Sequence, residues 1–126
     1  MKTIVQTDDA PQAIGTYSQA VKANGFVFVS GQIGLLPEVG KMVSEDFIPQ
    51  AKQAFKNLQS VLDAAGSSFD KLVKLTVYLT DLSQFKALNE VMAECIKTPY
   101  PARAAVEVSA LPAGALVELD AIALSA

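Results

Sequence analysis

The chain has 126 residues, 51% of them hydrophobic and 18% charged, with a formal net charge of -3. That length fits one domain, taken as residues 1–126, and the acidic balance offers no basic field for nucleic acid. No run reaches the roughly 18 apolar residues of a membrane span, and residues 1–6 lack the apolar stretch of a signal peptide, so a cytoplasmic location is expected.

Histidine is absent. Serine–histidine and cysteine–histidine nucleophile pairs are thereby excluded, together with the commonest metal ligand. The single cysteine, Cys95, cannot form an intrachain disulfide and lies in a helical pattern, as a small core residue does. No Cys/His cluster or Gly-rich phosphate loop is present, so neither metal nor cofactor is expected. Charge is sparser than the roughly 25% of an ordinary soluble domain, which fits either an alanine-rich core or apolar surface buried between subunits.

In chain order, residues 2–6 read as a short strand, broken by Asp8, Asp9 and Pro11. A loop follows, in which Gly15 allows Tyr17 to be presented at an unusual angle or laid on the core. Residues 21–24 and 26–30 form a hairpin around Gly25, and the second strand ends at Ser30-Gly31-Gln32, where glycine admits close backbone approach. A turn region with Pro37 and Gly40 precedes the clearest helix, in which Ile48, Ala51, Phe55, Leu58, Leu62 and Ala65 recur at spacings of three and four. Pro49 suits its first turn and Gly66 its C-terminal cap, while Lys52, Lys56, Asn57, Gln59 and Asp63 are expected to face solvent.

Residues 72–79 alternate and are β-branched, hence a strand. Asp81 can cap the next helix, whose expected inner face carries Phe85, Leu88, Met92 and Ile96, with Asn89 beside that stripe. Pro99 and Pro101 end it and force an extended approach to a strand with Arg103, Ala105 and Glu107 on one face. A turn at 111–114 leads to a last strand over 116–124, with Glu118 and Asp120 on one face. The order of strands, helix, strand, helix and two strands predicts an α+β fold, two helices covering one face of a mixed sheet.

Arg103 is the only arginine beside nine lysines. A lone guanidinium in a short apolar strand is either half of an intramolecular salt bridge or a fork that grips a carboxylate bidentately. Glu118, between Val117 and Leu119, is either an ion-pair partner or a base whose pKa burial would raise.

Four fragments resemble the Rid (YjgF) family of reactive intermediate deaminases: Ile14-Gly15-Thr16-Tyr17-Ser18-Gln19-Ala20, Phe28-Val29-Ser30-Gly31-Gln32-Ile33, Pro101-Ala102-Arg103, and Val117-Glu118-Leu119-Asp120-Ala121-Ile122-Ala123. The resemblance implies a chorismate-mutase-like α+β fold and a homotrimer with a cleft at each subunit boundary. It also implies cofactor-free hydrolysis of 2-imino acids, the tautomers of enamines such as 2-aminoacrylate, to 2-keto acids and ammonia. Residue by residue it gives Arg103 as the carboxylate anchor and Glu118 as the acidic group near the reacting centre. Tyr17, Ser30, Gly31, Asn89 and the backbone of Ala105 fall on substrate-binding positions. The sequence departs from the family pattern at Thr16, where many relatives have proline, and at Ala105, where the best-known deaminases have cysteine. Met92 and the Cys95-Ile96 pair replace bulkier aromatics, and the segment from Asn89 to Arg103 is a few residues shorter. Two other readings use the same chain. A 2-keto acid sensor would need Arg103 but not Glu118, and a ribonuclease would need a basic groove that the net charge opposes.

Overall fold

The computed structural model describes residues 1–125. Its core element is a six-stranded sheet in the order β1-β2-β3-β6-β4-β5. The strands are β1 (Thr3–Val5), β2 (Ala20–Ala23), β3 (Phe26–Gln32), β4 (Leu72–Leu79), β5 (Ala102–Glu107) and β6 (Val117–Leu124). Two helices, α1 (Phe47–Ala64) and α2 (Phe85–Cys95), complete the expected α+β order. All neighbouring strands are antiparallel except β4 and β5, which are parallel. A parallel pair needs a crossover, and α2 supplies it.

The β2–β3 hairpin turns on Asn24 and Gly25, both at positive φ (51° and 80°). Asn-Gly is the pair that tolerates two left-handed residues in succession, which is why the chain reverses there. Both helices lie on one side of the sheet. The buried face of α1 presents Ala51, Ala54, Phe55, Leu58, Val61 and Leu62 to Val27, Leu75, Val77, Leu119 and Ala121 of the strands. Gly66 stands just past α1 at φ 77°, the left-handed position that a helix C-terminus favours.

One expectation for α1 is corrected. Asn57 does not face solvent: it is 0% exposed, and its amide nitrogen donates to the carbonyls of Ile33 (2.9 Å) and Leu35 (2.8 Å) while its oxygen accepts from Gln53 (2.9 Å). The helix packs against the segment after β3 as well as against the sheet, and that segment's carbonyls, lacking strand partners, require a buried donor. Gly34 allows the approach, since a Cβ there would stand 2.8 Å from the carbonyl oxygen of Gln50.

The other side of the sheet carries no helix. Register pairs Phe28 with Ile122 and Phe26 with Leu124, and Tyr78 with both Glu118 and Val106, so these residues share the open face. Ile4, Phe26, Phe28, Val106 and Leu124 are all exposed there, Phe28 by 44%. No helix among the described residues is long and apolar enough to cross a membrane.

Candidate active site

Arg103 sits opposite Leu75 in the β4–β5 register, on the side of the sheet that the helices cover. Its guanidinium meets one face of α2. Nη1 donates to Asn89 Oδ1 at 2.6 Å and lies 3.5 Å from Met92 Sδ, while the carbon at the guanidinium centre is 5.0 Å from the centroid of the Phe85 ring. Phe85, expected to face inward, is therefore 38% exposed and lies beneath the arginine instead of in the core. Among the described residues the one ion pair is Lys52–Glu94, at 4.0 Å, so Arg103 has no carboxylate partner there and the salt-bridge reading of this residue lapses within the chain. Beside it opens a cavity of about 360 Å³ lined by Asn89, Met92, Ala93, Tyr100, Pro101 and Arg103.

Glu118 projects from the other face. Partial burial pushes its carboxyl above the ordinary carboxylate value, and the charge of Asp120, two residues along the same strand face, adds to the rise. Asp120 in turn accepts a hydrogen bond from the Tyr78 hydroxyl at 2.9 Å. The Glu118 carboxylate lies directly over Gly31. A Cβ at that glycine would be 2.7 Å from Glu118 Cδ and 3.0 Å from each carboxylate oxygen. Gly31 is thus required by close approach, with no unusual φ involved.

Ser30 and the loop before β2 frame this carboxylate. The Ser30 hydroxyl donates to the carbonyl of Ser18 at 2.6 Å and its N–H to that of Gln19 at 2.9 Å, which ties the Tyr17 loop to the end of β3. Gln19 is buried. Its amide nitrogen donates to the carbonyls of Thr7 (3.0 Å), Ala10 (3.4 Å) and Pro11 (2.8 Å), and its oxygen accepts from Thr7 N–H (2.7 Å). The Tyr17 hydroxyl oxygen accepts from the Ile14 N–H at 3.4 Å, leaving the ring half-exposed at the rim. Tyr17, Gly31, Gln32, Ile33, Pro112 and Glu118 are among the residues around a second cavity of about 130 Å³.

The residues singled out in the sequence accordingly fall into two groups. Tyr17, Gly31 and Glu118 line one cavity, with Ser30 next to Gly31 and bonded to the Tyr17 loop, whereas Arg103 and Asn89 line another, and Ala105 lies half-buried on β5 against the core. An ion pair between Arg103 and Glu118 of one chain is ruled out by their projection from opposite faces. Two contributors were not foreseen: Gln19, whose amide fixes the loop, and Phe85, whose ring underlies Arg103. Only the latter left a trace in the sequence, as Phe85, Asn89 and Met92 fall on one helical face at spacings of four and three.

Fold and site together define a class: a small α+β protein whose mixed sheet holds an arginine beside one cavity and a half-buried carboxyl of raised proton affinity beside another. Residues 7–125 match the family described as Endoribonuclease L-PSP, and the chain belongs to that family, the Rid (YjgF) family. It is 47% identical over 122 residues to the chloroplastic Reactive Intermediate Deaminase A of Arabidopsis thaliana, covering 97% of this chain and 65% of the plant protein's length. It is 44% identical over 124 residues to the 2-iminobutanoate/2-iminopropanoate deaminase of Homo sapiens, covering 98% and 90% of the two chains. The crystal structure of RidA from the Antarctic bacterium Psychrobacter sp. superimposes with a TM-score of 0.94 at 50% identity, over 97% of this chain and 98% of that one.

Proposed function

We infer that this protein hydrolyses 2-imino acids, and the enamines that tautomerise to them, to 2-keto acids and ammonia, without a cofactor. The observation that carries the reading is an arginine with no carboxylate partner among the described residues, in a family whose members include 2-iminobutanoate/2-iminopropanoate deaminases. Arg103 holds the substrate carboxylate by its guanidinium fork. Glu118, its proton affinity raised by burial, takes a proton from water as the oxygen attacks C2. The C2–O bond forms as the C=N π pair moves to nitrogen, giving a carbinolamine. Glu118 returns that proton to the nitrogen, completing the amino group, and then relays the hydroxyl proton of the carbinolamine to the same nitrogen, so that the O–H pair becomes C=O as the C–N bond breaks and ammonia leaves. Tyr17, Ser30, Gly31, Asn89 and the Ala105 backbone form the surrounding substrate-binding wall. A carbon already made electrophilic by its imine and carboxylate needs orientation and a placed water more than a strong nucleophile.

In this reading the working unit is a homotrimer of single-domain chains, with Arg103 of one subunit and Glu118 of the next lining each cleft. Two features support it: the two groups leave opposite faces of one sheet, and the open face exposes Ile4, Phe26, Phe28, Val106 and Leu124. Closed rings form when one patch of a chain meets a different patch of its neighbour. A cytoplasmic setting suits a chain with one cysteine and no disulfide.

The test is direct. 2-Imino acids are released in situ from alanine and 2-aminobutyrate by an amino-acid oxidase, and imine loss is followed with and without the protein. The reading predicts faster loss, with keto acid and ammonia formed in equal amounts. An unchanged imine lifetime together with 2-ketobutyrate binding would instead make the protein a keto-acid sensor.

A further inference from the structure

Helix α2 does more than wall the Arg103 cavity. Phe85, Asn89 and Met92 are successive side chains of one helix face, and each touches the guanidinium in a different way. The phenyl ring lies under the guanidinium, where the ring quadrupole attracts a cation. Asn89 meets the group through Nη1 with a neutral acceptor, so its positive charge is left uncompensated. Nε and Nη2 make no hydrogen bond among the described residues, so the donors that a bidentate carboxylate needs remain available. A long arginine side chain ordinarily loses rotamer freedom when it grips a ligand, and a cradle formed in advance moves that loss from binding to folding.

Resting on the function proposed above, we propose that Phe85 is a positioning residue. Its ring holds the Arg103 guanidinium with one edge free, and so sets the affinity for the substrate carboxylate without touching substrate. The partial exposure of Phe85 favours this over a core role. A ring placed only to fill the core has no reason to remain 38% exposed beneath the chain's single arginine.

Because Arg103 is the only arginine, its Nε–Hε group gives one resolved signal in a ¹⁵N–¹H correlation spectrum. That signal's position and order parameter are measured in wild type, Phe85→Leu and Phe85→Tyr, alongside titrations with 2-ketobutyrate and with its neutral amide. Phe85→Leu should abolish the ring-current shift, lower the order parameter and weaken 2-ketobutyrate about three- to tenfold, the affinity equivalent of one guanidinium–ring contact. KM should rise by a similar factor with kcat changing less, the amide should bind as before, and Phe85→Tyr should restore all of these. A Phe85→Leu protein with the wild-type Arg103 signal and wild-type 2-ketobutyrate affinity would overturn the proposal, as would equal weakening of acid and amide. A wild-type protein whose Arg103 signal ignores 2-ketobutyrate would instead overturn the functional reading, and with it the ligand role of Phe85.

Discussion

Arg103 and Glu118 project from opposite faces of one sheet, although their strands, β5 and β6, both pair with β4. Leu75 carries the register of Arg103 on the helix side and Tyr78 that of Glu118 on the open side. On the function proposed above, a cleft that uses both groups is built from more than one chain, and the mutational consequences of each half can be separated.

For the arginine half, Arg103→Lys is expected to weaken 2-ketobutyrate about ten- to a hundredfold, through the loss of roughly 1.5 to 3 kcal/mol of charge-assisted bonding. The melting temperature should stay close to wild type, because no carboxylate of the described chain depends on Arg103. Calorimetric titration beside thermal melts checks both. A destabilised variant with unchanged affinity would return Arg103 to a structural role.

For the carboxylate half, Glu118→Gln should keep 2-ketobutyrate affinity while turnover falls about 10²- to 10⁴-fold, the usual contribution of one general base. Turnover by the wild type should rise with pH as Glu118 deprotonates, with a midpoint above the ordinary value of 4.5. The stability sign follows from the same shift. A raised folded pKa means that Glu118's contribution is fully present below its unfolded pKa and is lost as pH rises through the folded value. Melts of wild type and Glu118→Gln should therefore converge in acid and diverge towards neutrality, with the glutamine variant the more stable.

Gly31→Ala is expected to act on Glu118 and not on the backbone. The new methyl would stand 2.7 Å from Glu118 Cδ, so the carboxylate must move, and a displacement of about 1 Å can cost about 10²-fold in rate. Stability should change little, since the obstructed atoms are the free end of a side chain. Steady-state kinetics should show a fall in kcat with KM little changed; a rise in KM alone would mean that the carboxylate is not the affected group.

The expected elements were legible because their signals are local. The apolar stripe of α1, the alternation of β4 and the Asn24-Gly25 turn depend on residues a few positions apart. The projection of Arg103 away from Glu118 was not legible, since alternation assigns faces within a strand while register between strands assigns them across the sheet, and register is a non-local property. Asn57 failed for a related reason. A polar residue beside an apolar stripe looks solvent-facing until the loop carbonyls of Ile33 and Leu35 arrive from elsewhere in the chain.

That misreading gives a stability prediction. Asn57→Leu would strand the carbonyls of Ile33 and Leu35 and the Gln53 amide, at about 1 to 3 kcal/mol for each unsatisfied buried group. Chemical denaturation should show a loss of several kcal/mol, which would be far smaller if Asn57 were on the surface.

The claim that Arg103 of one subunit and Glu118 of another share a catalytic cleft is tested most directly by complementation. Arg103→Ala and Glu118→Gln chains, each expected to be inactive and to sediment near three times 13.3 kDa, are co-expressed with different tags and purified through both. Every mixed ring of three holds one site with both native groups, so 2-iminobutanoate hydrolysis should return to about a third of the wild-type rate. Mixed trimers no more active than the separate variants would contradict a cleft shared between subunits.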